Sequence, residues 1–274
     1  MHISGLAQTG STGRLQPLFD FDYSKPLFKL SEEQASNKKR FLRYSALTGY
    51  REGVKPFQGQ FGINYQWVED SVSGTKRFAM YNLSVVEMLL GHAYSLKGMV
   101  KKAGIVLEVS DPSKYFYDVK YGDLEEWKRK NALCFEYAMP NQFSPALGDA
   151  QQEIARMLGV TYGFEKRPYK TLVLVRTSDK EKFKAAGGSQ IVDLKNGKYT
   201  NASLLGMIGS FQYYSNQLYF NDETGLPESY LASVDLNITN WDDLAELRKA
   251  LQRYDLDLKE ELREQTVFVI KELK

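Results

Sequence analysis

The sequence predicts an α/β (α+β) protein built from duplicated modules, each running helix, strand, strand, helix, strand, strand. The first observation is that similar segments recur in the same order in both halves of the chain. SVVEMLLGHAYS, IVLEVSDP, YFYDVKY, AQQEIARMLGVTYGFE and YKTLVLV are followed by SLLGMIGSFQYY, QLYFNDET, YLASVDL, LRKALQRYDLDLKE and QTVFVI. The second is that each copy has too few strands to cover both faces of a sheet. We therefore expect the two copies to pack together or to share a sheet.

This interpretation divides the chain into four parts. They are a loop- and hairpin-rich extension (1–76), a first repeat with an insert (77–178), a charged, glycine-rich linker (179–200) and a second repeat (201–274). In the extension, Tyr65–Glu69 and Lys76–Tyr81 flank a Ser-Val-Ser-Gly turn and predict a hairpin. The aromatic, glycine-rich region Phe41–Phe61 is a candidate binding surface, with Tyr50 and Phe57 as its candidate contacts.

Each repeat is predicted from its caps and periodicity. The first contains a helix capped by Asn82 or Ser84, strands at Ile105–Val109 and Tyr115–Tyr121, a helix at Ala150–Leu158, and strands at Gly159–Phe164 and Lys170–Arg176. The second contains a helix capped by Asn201 or Ser203, strands at Gln217–Phe220 and Tyr230–Ile238, a helix from Trp241 capped by Thr239 or Asn240, and a hairpin of Leu256–Lys259 and Thr266–Ile270. Asn221–Gly225 is a predicted turn.

Motifs from Arg77 to the end of the chain resemble the soil-associated domain of unknown function number 3738. The motif residues of the second repeat are Asp222, Thr224, Gly225, Leu226, Tyr230, Ala250, Leu251, Gln252, Leu256, Leu258, Val267, Val269 and Ile270. Those of the first repeat are Arg77, Phe78, Asn82, Leu89, Ala93 and Tyr94. Asp255 stands where the family usually has glycine.

The resemblance implies a periplasmic or cell-envelope location, often after a thioredoxin-like domain or a membrane-bound regulatory peptidase, and it implies no biochemical activity. The order of elements is also similar to the small α/β modules at the N-terminus of secretins and TonB-dependent receptors. The start of the sequence looks like an arbitrary point inside a longer chain, since it lacks a signal-peptide pattern.

Composition excludes several classes of function. The net charge of +2 gives no electrostatic footprint for nucleic acid. No apolar run is long enough to be a transmembrane helix. Two histidines and the single Cys134 do not make the usual structural zinc site, and no nucleotide-binding or hydrolase motif is present. We therefore expect no metal and no cofactor in this chain.

The candidates for chemistry all have structural explanations. Cys134, among apolar residues, is typical of a buried small side chain, and His92 lies on the apolar face of a predicted helix. Asp222 is explained first as a turn residue, although its place in the family motif makes it a candidate binding residue with Thr224, Gly225 and Tyr230.

Three hypotheses for function stay open at this point. The first is a non-catalytic envelope module that binds a protein partner or senses for an attached domain, with strand addition at a sheet edge as its route. The second is the accessory part of a thiol-disulfide oxidoreductase whose active site lies outside this chain, because the chain has no CxxC motif. The third is a carboxylate-dependent hydrolase, which requires Asp222, Asp118 and His92 to line one pocket.

Overall fold

The structure, a computed structural model, is a mixed α/β protein with more strand than helix and several sheets. It describes residues 43–54, 64–70, 74–91, 104–143, 147–215, 219–238 and 240–274. The chain divides into two compact units. The first comprises residues 1–95, 109–161 and 272–274, and the second comprises residues 96–108 and 162–271.

The described residues form eleven strands and five α-helices. The strands are β1 (Tyr44–Gly49), β2 (Tyr65–Asp70), β3 (Thr75–Leu83), β4 (Ile105–Glu108), β5 (Leu133–Pro140), β6 (Val160–Arg176), β7 (Ile191–Asp193), β8 (Lys198–Ser203), β9 (Tyr219–Asp222), β10 (Leu231–Asp235) and β11 (Leu256–Glu272). The helices are α1 (Val85–Leu90), α2 (Leu124–Asn131), α3 (Leu147–Leu158), α4 (Leu204–Tyr214) and α5 (Leu244–Gln252).

The first unit is built on an antiparallel sheet in the order β1-β5-β3-β2. The predicted hairpin is confirmed as β2 and β3, which pair from Tyr65 opposite Met80 to Asp70 opposite Thr75. β1 also belongs to this sheet, so the described strands of the expected extension 1–76 are part of a sheet core. Sequence alone did not reveal this because β1 pairs with β5, which lies about ninety residues later in the chain.

The helix after β3 begins with a capping box. The Ser84 hydroxyl accepts a hydrogen bond from the Glu87 amide, and the Ser84 amide donates to the Glu87 carboxylate at 2.7 Å. Each side chain thereby satisfies a backbone N–H that the helix leaves without an internal partner. The apolar face of α1, including Met88 and Leu89, is buried. Of the two predicted caps, the structure uses Ser84.

The second unit contains two sheets. One has the order β10-β8-β7, and its strands are antiparallel. The other has the order β4-β11-β6-β9, in which β4 is parallel to β11 and β9 is parallel to β6. An apolar core forms around α4 and α5, where Phe211 lies 5.8 Å from Phe220 and 5.6 Å from Trp241, measured between ring centroids.

The predicted pairs of strands at the end of each repeat are wrong, because each pair is one continuous strand of 17 residues. The segment Glu260–Gln265, expected to be a link between hairpin strands, contains no Gly, Pro or Asn that favours a turn. Its side chains alternate between exposed and half-buried positions inside β11. Ion pairs such as Lys166–Glu264, at 3.2 Å, join β6 and β11 here and help an otherwise polar strand pair to continue.

Two further predictions of secondary structure need correction. Tyr115–Tyr121 is not a strand: a 3₁₀ turn at Pro112–Lys114 precedes it and a second one at Val119–Tyr121 ends it, each capped by an aspartate. These local hydrogen bonds from backbone amides to the Asp side chains compete with the backbone hydrogen bonds of a β-strand. The helix expected from Trp241 begins at Leu244, where the Asp243 carboxylate accepts hydrogen bonds from two backbone amides.

The segment 179–200 also differs from the expected linker. It contains β7 and the start of β8, and Phe183 within it is fully buried in the second unit's core. Its Gly and Lys content suggested a solvated connection, but burial of Phe183, backbone bonds from residues 183–185 to β10 and the pairing of β7 with β8 hold the segment in the fold. The other expected boundaries stay predictions.

Two kinds of junction occur twice with the same geometry. Asn82 and Asn201 both have φ +52°, and each stands two residues before the serine that caps a helix, Ser84 or Ser203. Asn tolerates this left-handed conformation better than most residues. Gly159 (φ +66°) and Asp255 (φ +56°) likewise stand just before the two 17-residue strands.

Candidate functional site

The predicted binding turn after β9 is held by its own side chains. The Asp222 carboxylate accepts a hydrogen bond from the Thr224 amide at 2.9 Å, and the Thr224 hydroxyl accepts one from the Leu226 amide. Gly225 has φ +73°, a conformation that glycine adopts without strain. Thr224 is buried. One carboxylate oxygen of Asp222 and the hydroxyl of Thr224 are therefore engaged in shaping the turn, as the first interpretation of this motif expected.

Tyr230 packs against the body of the second unit. Its ring lies 5.6 Å from that of Phe183, and burial raises the pKa of its hydroxyl. Its carbonyl accepts a hydrogen bond from the Leu204 amide at the start of α4. These contacts within the second unit account for a tyrosine at position 230 without a role in binding.

Of the two candidates in the first unit, only Tyr50 can be placed. It follows β1, is half-buried, and has a raised pKa through burial and the nearby Glu52 carboxylate. Phe57 lies outside the described residues, as does much of the region Phe41–Phe61. The expected aromatic surface there stays a prediction.

The residues expected to test an enzymatic function have local structural roles where they are described. Asp118 caps a 3₁₀ turn by accepting a hydrogen bond from the Lys120 amide, and Asp222 shapes the turn after β9. His92 lies outside the described residues. Cys134 is buried beside Asn82, and burial raises the pKa of its thiol, which opposes formation of the nucleophilic thiolate. Within the described ranges, no group of three or more His, Cys, Asp or Glu side chains is placed to hold a metal ion.

The most exposed uncharged strand edge of the first unit is β2. It lies at the end of the sheet order, and none of the described strands pairs with its outer side. Trp67 is 42% exposed and Val68 is 37% exposed. Tyr65, Gln66, Trp67 and Val68 form four consecutive uncharged positions. Natural edge strands are usually protected by charges, prolines or short length, so such an edge is unusual unless it is used.

The direction of the β2 backbone follows from its first bond to β3. The Asn64 carbonyl accepts a hydrogen bond from the Tyr81 amide, so Asn64 points its backbone groups toward β3. Backbone direction alternates along a strand. The N–H and C=O groups of Trp67 and Glu69 therefore point away from the sheet, where an added strand can pair with them.

The side chains of β2 fix its position against β3. The Trp67 ring lies 4.6 Å from the ring of Phe78, and Tyr65 lies 5.8 Å from the same ring. Lys76 and Glu69 form an ion pair at 3.0 Å near the turn. The half of Trp67 that is not packed on Phe78 remains on the surface, where it can contact an incoming chain.

The edges in the second unit are shorter or covered. β10 is joined on its outer side by residues 183–185, through bonds from the Ala185 amide to Leu231 and from the Ser233 amide to Phe183. β7 has three residues, and β4 and β9 have four each. Sequence reasoning found the β2–β3 hairpin but did not single out Trp67 and Val68, because edge position depends on the strand order of the whole sheet.

No protein-family model matches the chain, no curated protein matches its sequence, and no solved structure matches its fold. The resemblance to the soil-associated domain therefore stays a prediction that rests on its motifs. Every helix in the described part of the chain is too short or too polar to cross a bilayer.

Proposed function

We propose that this protein is a non-catalytic binding module that takes up an extended segment of a partner protein as an added strand on the outer edge of β2. The single observation that carries this proposal is that none of the described strands pairs with the outer side of β2 at Trp67 and Glu69, where Trp67 and Val68 are exposed. In strand addition, main-chain hydrogen bonds supply affinity and alternate side chains supply specificity.

The chemistry of β2 indicates the kind of segment that fits it. Trp67 and Val68 are neighbours, so their side chains lie on opposite faces of the sheet. An added strand with apolar or aromatic residues at successive positions opposite them covers both side chains. Glu69 at the end of the strand is 67% exposed and favours a basic residue in the partner at that point.

We further propose that the chain is a duplication of one α/β module, similar in element order to the small N-terminal modules of secretins and TonB-dependent receptors. Support comes from β6 and β11, which have the same length and the same burial pattern over their last thirteen positions. The two Asn-x-Ser junctions before α1 and α4 give further support, and so does the exchange of short strands, in which β4 pairs with β11 and β9 with β6.

The family resemblance extends the proposal to the location of the protein in the cell. We propose that the module works in the periplasm or cell envelope, attached to a larger protein that includes a thioredoxin-like domain or another envelope enzyme. Fractionating cells that produce the parent protein, with antibody detection, tests this directly. Recovery in the cytoplasmic fraction alone contradicts an envelope location without bearing on strand addition.

The proposed strand addition is tested by the pair Glu69→Pro and Glu69→Ala. Proline at position 69 removes a backbone N–H that points outward, so it blocks an added strand while leaving the β2–β3 ladder intact. Alanine removes the same carboxylate and the same ion pair with Lys76 but keeps the N–H. Any difference between the two variants therefore reports the backbone edge.

A random-peptide library displayed on phage is selected on the immobilised wild-type chain, and selected peptides are measured by titration. We expect peptides with apolar residues at successive positions, binding the Glu69→Ala variant nearly as well as wild type and the Glu69→Pro variant at least about tenfold more weakly. Equal binding by all three proteins places recognition elsewhere, and failure to select any saturable binder contradicts the proposal. Circular dichroism confirms that Glu69→Pro is folded.

A further inference from the structure

The first unit has a cleft of about 490 Å³ near β1, at the edge of its sheet that is opposite to β2. It lies where the start of β1 and the end of β5 meet α3. Two arginines, Arg43 and Arg156, and two carboxylates, Asp149 and Glu153, line it beside the apolar surfaces of Tyr137, Met139 and Phe143. This volume is in the range of sites that hold small organic ligands.

The base of the cleft is apolar. Tyr137 and Met139 stand two residues apart on β5, so both side chains point to the same face of the sheet, and both are largely buried. Phe143, just after β5, contributes a ring that is 47% exposed. A ligand with an aromatic or aliphatic body gains contact with these three side chains.

One of the two guanidinium groups in the cleft is already neutralised. Arg156 donates to both oxygens of Glu153 at 2.6 Å, and the Ser45 hydroxyl donates to the same carboxylate at 2.7 Å. The hydrogen bond from Ser45 is the largest cause that lowers the pKa of Glu153, and Arg156 adds to it. Glu153 is thus held as an ionised partner of Arg156.

Arg43 is placed differently. Its guanidinium carbon lies 5.8 Å from the centre of the Tyr137 ring, over the apolar base, and its side chain is exposed. Its positive charge helps to lower the pKa of Glu153, but none of the described carboxylates lies within ion-pair distance of it. Guanidinium groups bind carboxylates through two parallel hydrogen bonds, and they remain charged at all physiological pH values.

We propose that this cleft binds a carboxylic acid with an apolar body, its carboxylate on Arg43 and its apolar group against Tyr137 and Met139. The class includes small aryl- and alkyl-carboxylic acids. The proposal is independent of strand addition, because it concerns β1, β5 and α3 and involves no residue of β2.

The test is calorimetric or NMR titration of the full chain with 4-phenylbutyrate, 4-phenylbutanol and 4-phenylbutylamine. The three probes share one apolar body and differ in the charge of the head group. We expect 4-phenylbutyrate to bind with a Kd of about 1 mM or below, and the alcohol and the amine to bind at least about tenfold more weakly. Saturable binding of the alcohol or the amine as strong as that of the acid overturns the assignment of a carboxylate site.

The matched variants are Arg43→Gln and Lys130→Gln. Each removes one exposed positive charge from the first unit, and Lys130 lies on α2, outside the residues that line the cleft. We expect Arg43→Gln to weaken binding of 4-phenylbutyrate about tenfold or more and Lys130→Gln to leave it unchanged. Equal weakening by both variants indicates a general charge effect and overturns the proposal, as does the absence of saturable binding to the wild-type chain up to about 10 mM.

Discussion

The β2–β3 hairpin of the first unit and the β7–β8 hairpin of the second are built alike but end in different edges. Both hairpins lead through an Asn-x-Ser junction into a helix, and both pair with a later strand, β5 or β10. β2 has six residues and exposes Trp67 and Val68, whereas β7 has three residues, and the far side of the second sheet is covered by residues 183–185. The same local design therefore gives an edge strand of six residues in one unit and an edge strand of three residues in the other, where residues 183–185 cover the far side of the sheet.

The two units also differ in what they bury. The first sheet contains the ion pair of Arg77 and Glu136 at 3.0 Å, both almost fully buried, with the hydroxyls of Tyr81 and Tyr44 bonded to it. The core cluster of the second unit is made of apolar and aromatic side chains. Buried charges need their partners in place, while apolar side chains tolerate neighbours of several shapes. We therefore expect the first unit to respond more sharply to loss of a single polar group.

The largest expected effect is that of Arg77→Ala. It leaves the Glu136 carboxylate buried without its cation, and breaking a buried pair in this way costs about 3–5 kcal/mol of unfolding free energy. Urea denaturation followed by circular dichroism measures the loss. The double variant Arg77→Met/Glu136→Leu should recover most of the stability, because no charge is then left buried. A cost below about 1 kcal/mol for the single variant would falsify this account of the pair.

Met88→Ala and Met207→Ala compare the two units at matching helix positions. Both methionines lie four residues after a serine cap, and both are fully buried. Each truncation removes apolar contacts and leaves a cavity, with an expected cost of about 2–5 kcal/mol. Hydrogen exchange read by mass spectrometry should show reduced protection in the first unit for Met88→Ala and in the second for Met207→Ala. Equal loss throughout the chain in both variants would mean that the units unfold together.

Asn82→Gly and Asn201→Gly separate backbone conformation from side-chain bonding. Glycine accommodates the positive φ at both positions, so the cost that remains is that of the lost hydrogen bonds. The Asn82 amide exchanges two bonds of 2.8 Å with the Arg51 backbone, whereas Asn201 donates to the Gly188 carbonyl. We expect Asn82→Gly to lower the free energy of unfolding by about 1–2 kcal/mol and Asn201→Gly to lower it by about half of that, measured by thermal or urea unfolding. Equal costs would show that the Arg51 contacts add nothing.

The smallest expected effect concerns Glu153 and pH. Its folded-state pKa is lowered by Ser45 and Arg156, so it binds a proton less readily in the folded protein than in the unfolded chain. Its contribution to stability is fully present above its unfolded pKa of about 4.3 and is lost as the pH falls through the lower folded value. The stability difference between wild type and Glu153→Gln should shrink as the pH falls from 6 to 3, measured by urea unfolding at each pH. A difference that is constant over this range would rule out the ionised contact.

Local signals were enough to predict several features of this protein. The hairpin of β2 and β3, the caps at Ser84 and Ser203, and the turn at Asp222–Gly225 were all predicted from side chains that act on backbone within a few residues. Burial of Cys134 followed from its apolar neighbours. These features depend on short-range geometry, which a single sequence carries directly.

Other features depended on partners distant in the chain. The polar middle of β11 resembles a loop until β6 is placed beside it and supplies ion pairs such as Lys166–Glu264. Phe183 lies in a charged, glycine-rich segment that is typical of a linker, and only the fold shows that the core of the second unit surrounds it. The candidate surface at β2 and the cleft at Arg43 were also invisible, because exposure of Trp67 and the closeness of β5 to α3 depend on the order of strands in the sheet.

By itself the sequence determined the α/β class, the caps at Ser84 and Ser203 and the turn at Asp222–Gly225, since each of these is set by neighbours along the chain. Only the tertiary structure decided which strands are edges, which polar segments are strands and where charges are buried. Those properties are set by pairing between residues that are tens to more than a hundred positions apart, such as Arg77 with Glu136 or Thr171 with Gln265. Local propensity carries no information about such pairings.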